Sequence, residues 1–161
     1  MKRLLGIVLF AAAGVAIAAP ATAKPAGAFL ADAAKGDRSE VMLGHLAADR
    51  GGSPGIRDFG RRLVSDHGGH LTKVEALAAR MHIMLPPGEK PEARAIDARL
   101  RHMHGPAFDR AFDMHMVADH REDIAAYEAQ ARSGDRETSG FAKDTLPTLR
   151  EHLRIAESLR R

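Results

Sequence analysis

Four residues that can bind metal ions lie at core positions of four separate helical patterns. They are Glu40, His67, His120 and His152. Each falls among apolar residues that recur at alternating steps of three and four, the spacing of a helix face that packs against other helices. Imidazole and carboxylate groups are ligands for Zn, Fe, Mn and Cu. The spacing therefore predicts that these side chains converge on one transition-metal site.

The same residues have a second interpretation, which the sequence leaves open. Buried histidine and carboxylate side chains also satisfy one another through hydrogen bonds, without a metal. Asp66 and Asp119 each directly precede one of the histidines. They are placed to accept the second ring N–H of a histidine on a neighbouring helix. Such an arrangement is equally compatible with a metal site, where the aspartates orient the ligands, and with a structural polar network.

A further group of possible ligands flanks the start of the third long helix, outside the apolar stripes. Methionine sulfur beside imidazole is a donor set that copper uses. The sequence therefore allows a peripheral copper site there, and solvated histidines are the alternative interpretation. The residues are His102, Met103, His104, Met114 and His115.

The motifs of common enzyme classes are missing from the sequence. It contains no G-x-S-x-G, no H-E-x-x-H and no glycine-rich phosphate-binding loop. It also lacks the Glu-x-x-His pairs that bind two iron ions in helical bundles. We interpret the chain as non-catalytic, with a metal-dependent oxidoreductase as the enzymatic alternative.

The first residues have the pattern of a secretory signal peptide. Lys2 and Arg3 precede an apolar run over residues 4–19, and Ala21-Thr22-Ala23 is an A-x-A cleavage pattern. We predict a signal peptide over residues 1–23 and one folded domain over residues 24–161. The mature chain would have no transmembrane segment, and the expected location is the periplasm.

Composition excludes several other classes of protein. The chain has no cysteine, so thiol, disulfide and iron–sulfur chemistry are excluded. It has 24 Lys and Arg against 21 Asp and Glu, and two of the basic residues leave with the predicted signal peptide. No basic stripe is interleaved with aromatic residues, so nucleic-acid binding is not expected.

The apolar periodicity predicts an all-α chain of four long helices. Ser53-Pro54 is a typical start for the second of them. The connection between the second and third is too long for a tight hairpin, which predicts a crossover along a four-helix bundle with a short helix inside it. Pro147 should kink or split the last helix. The predicted helices span 26–49, 54–82, 91–102, 106–132 and 136–159.

Several stretches of the chain resemble a known family. They are FLADAAKGDRSEVMLGHLA (29–47), IRDFGRRLVSDHGGHLTKVEALA (56–78), LPPG (85–88), HGPAFDRAFDMHMVADH (104–120) and TLPTLREHLRIAESL (145–159). These are similar to a family of secreted bacterial proteins with a domain of unknown function, often labelled outer membrane proteins. The resemblance implies a ferritin-like four-helix fold in the envelope of a Gram-negative bacterium. The family's motif positions correspond to Glu40, Asp66, His67, His120, the Leu146-Pro147 step and His152.

The sequence thus predicts a periplasmic helical bundle, a monomer or weak homodimer, that binds a transition metal or responds to metal or stress. A different class of function is the alternative. In it, the chain is a structural or stress protein of the envelope, with a possible protein partner, and the central His/Glu cluster only fixes the register of the helices.

Overall fold

The computed structural model describes residues 21–160, which form five helices and contain no strand. The predicted signal peptide lies outside the described residues, apart from its last three positions. The helices are α1 (Ala26–Arg50), α2 (Pro54–Arg80), α3 (Pro91–Leu100), α4 (Gly105–Ala131) and α5 (Arg136–Leu159). The predicted boundaries agree with these within two residues.

Local interactions explain where α2 begins and ends. At its start the Ser53 hydroxyl accepts a hydrogen bond from the Ile56 N–H at 3.3 Å, and Pro54 occupies the first turn. At its end His82 has a φ of 55°, in the left-handed region. The Ile83 N–H then bonds to the Ala78 carbonyl at 2.8 Å and the His82 N–H to the Ala79 carbonyl at 3.1 Å. This is a Schellman-type ending with histidine where glycine is usual.

The long helices alternate in direction around the bundle. Asp37 contacts His67 and Gly44 contacts Gly60, so α1 and α2 are antiparallel. The Arg121–Glu157 and Glu128–Arg150 ion pairs give the same relation for α4 and α5. Because α2 also runs antiparallel to α5, α2 and α4 are parallel, and the crossover over residues 81–104 is what connects them. The structure confirms the predicted bundle with its long crossover and internal short helix.

Helices α1 and α2 approach closely at two glycines. A Cβ atom on Gly44 would lie 2.8 Å from the Gly60 carbonyl oxygen. A Cβ atom on Gly60 would lie 2.7 Å from both the Ala48 nitrogen and the Gly44 carbonyl oxygen. These distances exclude a side chain unless the helices move apart. The contact lies about two helical turns from Asp37 and His67, so it helps to set the distance between these two residues.

The core consists of two apolar halves with a polar layer between them. One half is centred on Phe59, Phe108 and Phe112, and the other on Leu30 and Tyr127. Along every long helix the polar residues of the layer come between the residues of the two halves. The candidate site therefore lies midway along the bundle. The buried residues of the layer are Asp37, Glu40, His67, His120 and His152.

Pro147 does not split α5. The helix is continuous from Arg136 to Leu159 with the proline inside it, so of the two predicted outcomes the split was wrong, and the kink stays a prediction. Proline removes one backbone donor and leaves the carbonyl four residues earlier, that of Lys143, without its helical partner. Both residues are exposed, so water can bond to this carbonyl and the helix continues.

Candidate metal centre

Three predicted ligands meet in the polar layer. His67 comes from α2, His120 from α4 and His152 from α5, and their relative exposures are 5%, 1% and 0%. One potential ligand atom of each histidine lies within 4.8 Å of the others. Among residues 21–160, no other group of three or more His, Asp or Glu residues is arranged so that it could hold a metal ion. The helical periodicity thus located three side chains that are 32 or more residues apart in sequence.

Each histidine has one ring nitrogen directed away from the group and bound to an oxygen atom. His67 Nδ1 lies 2.9 Å from Asp37 Oδ1, and His152 Nε2 lies 2.8 Å from Asp66 Oδ2. His120 Nδ1 lies 3.0 Å from the Met116 carbonyl oxygen. Carboxylate and carbonyl oxygens only accept hydrogen bonds here, so we assign the ring proton of each histidine to its outer nitrogen.

This assignment leaves the lone pairs of the three inner nitrogens facing one another. His120 Nε2 and His152 Nδ1 are 3.3 Å apart, and with both outer nitrogens protonated neither can donate to the other. His67 Nε2 is buried and has no hydrogen-bond partner among the described residues. Three buried acceptors without a donor are unfavourable unless a cation lies between them.

Burial keeps two of these rings neutral. Burial, together with the neighbouring rings of His67 and His152, lowers the pKa of His120 to about 3. Burial also lowers the pKa of His152 to about 4, although its hydrogen bond to Asp66 opposes this effect. At neutral pH neither ring carries the extra proton that would turn an inner nitrogen into a donor. Neutral imidazole is the form that binds a metal ion.

The distances fit a transition-metal ion. Zn–N bonds of about 2.0–2.1 Å at tetrahedral angles place two nitrogen ligands about 3.3 Å apart. The inner nitrogens of His120 and His152 are 3.3 Å apart. Bringing the third nitrogen to the same distance would take a movement on the order of 1 Å, within what a side-chain torsion allows. The outer hydrogen bonds fix the ring orientations, as they commonly do in metal sites.

The fourth predicted ligand, Glu40, lies on the other side of His120. Its Oε1 atom is 4.0 Å from the outer nitrogen, His120 Nδ1, and its side chain is 1% exposed. Burial raises the pKa of Glu40 well above its ordinary value, and the nearby Asp119 and Asp123 carboxylates add to this. Burial and these neighbouring carboxylates therefore favour the neutral form of the Glu40 carboxyl. In this position it is a neighbour of the three-histidine group and not part of it.

The two aspartates predicted to support histidines have different surroundings. Asp66 accepts a hydrogen bond from His152 on a neighbouring helix, and Arg62 also contacts it at 3.3 Å. Asp119 instead pairs with Lys90 of the crossover, whose Nζ lies 3.1 Å from its Oδ1. The sequence places Asp119 beside His120 but does not reveal the lysine that binds it.

The sequence reasoning missed the carboxylate of Asp37 and the second histidine of α2. Asp37 accepts from His67 and also from His70, whose Nδ1 lies 2.8 Å from Asp37 Oδ2. The other nitrogen of His70 contacts the Thr145 hydroxyl oxygen at 3.0 Å. Two spacings could have pointed to them: Asp37 precedes Glu40 by three residues, and His70 follows His67 by three. Both pairs therefore share a helix face.

The peripheral residues predicted to recruit copper do not form a buried site. His102 and His104 are exposed, Met114 is 61% exposed, and Met103 packs against the core half around Phe59. Burial lowers the pKa of His115. The copper site at these residues stays a prediction.

A groove of about 1420 Å³ extends between the two helical hairpins and reaches the histidine group. His67 and His152 line it, together with His70 and Thr145. The groove therefore ends against two of the three candidate ligands, whose side chains are themselves buried.

Comparison with known proteins agrees with the fold. A solved structure described as "Crystal structure of DUF305 fragment from Deinococcus radiodurans" is similar to the chain with a TM-score of 0.74 and 18% sequence identity. The match covers 86% of this chain and 97% of that chain. At this identity the similarity shows the fold alone, and it agrees with the predicted ferritin-like all-α bundle. No curated protein matches the chain. The family described as "Domain of unknown function (DUF4142)" matches residues 11–159, so the chain belongs to the DUF4142 family.

Proposed function

We propose that this chain is a periplasmic protein that binds one transition-metal ion through His67, His120 and His152. The observation that supports the proposal is the orientation of the rings. Each outer nitrogen is bound to an oxygen, so the three inner nitrogens present lone pairs to one another. A metal ion at their centre satisfies all three at once.

The surroundings of the three inner nitrogens favour a metal ion over a proton as the cation that lies between them. A proton on one inner nitrogen would make an imidazolium in a site that is almost inaccessible to water, and the low pKa values of His120 and His152 oppose this. A divalent ion also brings charge into the core. The two carboxylates that accept from the outer nitrogens, Asp37 and Asp66, lie where they would balance that charge.

Three imidazoles suit Zn, Cu and Fe, with Zn and Cu bound most tightly by nitrogen ligands of this kind. Glu40 would need to leave Asp119 and rotate past the ring of His120 to become a fourth ligand. In the proposed site it instead stays 4.0 Å from the outer nitrogen of His120 and does not bind the metal. A fourth position would then be open to water or a small ligand.

The proposed location follows from the signal-peptide pattern of residues 1–23. Within residues 21–160, none of the five helices combines the length and the apolar character that a membrane crossing requires. Export would place the site in a compartment where its histidines encounter metal ions directly from the environment.

The test is the metal content of the untagged protein, exported to the periplasm and purified without chelator. Mass spectrometry should find about one equivalent of a single transition metal per chain. Replacing His67, His120 and His152 together with Gln should remove it. The matched control replaces two exposed histidines, His45 and His82, with Gln and should keep the metal. No metal after incubation with Zn, Cu, Fe and Mn would refute the proposal, as would equal binding by the triple variant and the control.

An architectural role for the cluster is the second candidate, and the 3.3 Å contact between His120 and His152 favours it. That contact becomes a hydrogen bond if one of the two rings moves its proton to the inner nitrogen. Its outer nitrogen would then face the Asp66 carboxylate or the Met116 carbonyl without a proton to donate. NMR of the ¹⁵N-labelled histidines in metal-free protein distinguishes the two, since it reports which nitrogen of each ring is protonated. Outer protons on all three rings support the metal site.

An oxidoreductase that uses the bound metal is a third possibility, favoured by the groove that reaches His67 and His152. It requires an open coordination position that an added ligand can occupy. Azide added to the Cu(II)-loaded protein should then produce a new charge-transfer absorption. An unchanged spectrum would exclude an accessible position and with it this activity.

A further inference from the structure

The backbone nitrogen of Lys24 is bound by a side chain that is distant in sequence. It lies 3.0 Å from the Oε1 atom of Gln130, a residue near the end of α4 that is 1% exposed. The contact joins positions 106 residues apart. Lys24 belongs to the stretch 21–25, whose residues are exposed and precede the first residue of α1. The folded domain therefore holds the chain at residue 24, directly ahead of its first helix.

The turn between α4 and α5 fixes the orientation of the Gln130 amide. Its Nε2 atom donates to the Thr138 hydroxyl oxygen at 2.8 Å. That hydroxyl donates its single proton to Asp135 Oδ1 at 2.6 Å, so towards Gln130 it can only accept. The amide nitrogen must therefore face Thr138, and the amide oxygen faces Lys24. Gln130 thus presents a buried acceptor to the nitrogen of residue 24.

The start of α1 has weak local interactions, which makes this contact important. Pro25 directly precedes the helix without capping it through a side-chain hydrogen bond, and the first turn contains no acidic residue. The Lys24 ammonium pairs with Asp32 at 2.6 Å, but the two side chains are 51% and 52% exposed. Exposed ion pairs of this kind contribute little to stability. The hydrogen bond to Gln130 is therefore the buried interaction that ties the start of α1 to the α4–α5 hairpin.

The nitrogen that Gln130 binds is also the nitrogen that processing would set free. The A-x-A pattern at residues 21–23 predicts cleavage of the bond between the Ala23 carbonyl carbon and the Lys24 nitrogen. We propose that Gln130 is the binding site for the α-amino group of the mature chain. The inference rests on the export part of the proposed function and is independent of the metal.

The chemistry of cleavage strengthens the contact. A signal peptidase adds water across the peptide bond, so Ala23 leaves with a carboxylate and the Lys24 nitrogen becomes an ammonium with three N–H donors. The nitrogen keeps its place 3.0 Å from Gln130 Oε1. Its hydrogen bond changes from one between neutral groups to a charge-assisted one, which is stronger. Removal of the leader therefore leaves the start of α1 more firmly attached than before.

The test begins with the N-terminus of the exported protein, which mass spectrometry should find at Lys24. The folded protein is then acetylated with a limiting amount of N-hydroxysuccinimide acetate at pH 7, where lysine side chains are protonated and only neutral amines react. Because Gln130 favours the charged form, we expect the α-amino group to react about fivefold more slowly than that of the free peptide KPAGA-amide, residues 24–28. Gln130→Leu should react at the rate of the peptide. Glu122→Gln, at an exposed position of α4, is the control and should keep the native rate.

Three results would overturn the proposal. They are a mature chain that begins at another residue, equal rates for the native protein and the peptide, and a slow native rate retained in folded Gln130→Leu. If circular dichroism shows that Gln130→Leu does not fold, the native protein in urea replaces it, and its rate should rise to that of the peptide. A chain that still begins at Met1 would also refute export. The metal content of the same sample tests the histidine site separately.

Discussion

The close contact of α1 and α2 allows a quantitative prediction. Replacing Gly60 with Ala introduces a Cβ atom with three contacts below 3.0 Å: 2.7 Å to the Ala48 nitrogen, 2.7 Å to the Gly44 carbonyl oxygen and 2.9 Å to the Ala47 Cβ. Two of these are backbone atoms, which cannot rotate away. The two helices must separate by about 0.7 Å before the contacts reach an ordinary 3.4 Å.

Overpacking of this kind costs about 1–3 kcal/mol, and the higher helix propensity of alanine returns about 0.5–1 kcal/mol. Because the clash involves backbone, we expect Gly60→Ala to lower the free energy of unfolding by about 2 kcal/mol. Gly69→Ala is the matched control on the same helix. A Cβ there meets no atom within 4 Å, so this variant should be more stable than the native protein by about 0.5–1 kcal/mol.

Urea unfolding followed by far-UV circular dichroism measures both variants in metal-free protein. The m-values should equal that of the native chain, so the midpoints report stability directly. Gly60→Ala should also weaken metal binding, because the separation of the helices lengthens the 2.9 Å contact between Asp37 and His67. If Gly60→Ala is as stable as Gly69→Ala, the reasoning from the close contact is refuted.

Two further predictions concern the histidine site. Asp66→Asn should lower metal affinity about 10–100-fold in a chelator competition, since it removes the charge that supports His152. Asp58→Asn, at an exposed aspartate of α2, should have no effect, and equal losses in both would contradict the role of Asp66. In metal-free protein, His152 has a pKa of about 4 in the folded chain against an ordinary 6.5. As the pH falls, the unfolded chain therefore takes up this proton before the folded chain does. Stability should therefore fall by about 3 kcal/mol as the pH drops from 6.5 to 4. His152→Gln should lose this part of the pH dependence in chemical unfolding, and an unchanged pH profile would exclude it.

The sequence predicts the helices and the meeting of the three histidines because both follow from periodicity. A helix face that alternates steps of three and four must pack inward. His67, His120 and His152 lie on such faces, between residues of both apolar halves. Residues that share the layer are then brought together by the bundle itself.

The partners of these residues could not be predicted in the same way. Periodicity places Asp37 and Glu40 on one face of α1 but does not give the offset between α1 and α2 along their axes. That offset brings Asp37 to His67 and leaves Glu40 beside Asp119. Likewise, the path of the crossover brings Lys90 to Asp119. The crossover has three prolines and no long helix, so its sequence has no apolar periodicity that would predict this path.

The arrangement of the two hairpins has a consequence for the order in which the chain folds. Helices α1 and α2, like α4 and α5, are joined by turns of only a few residues, so their contacts form with little loss of chain entropy. The contact of Asp66 with His152 joins positions 86 residues apart. Contacts of such separation form late in folding, so we expect the histidine site to be completed only when the hairpins dock. Zinc added during refolding should then leave the main folding rate unchanged and slow unfolding, whereas faster folding with zinc would show that the site forms early.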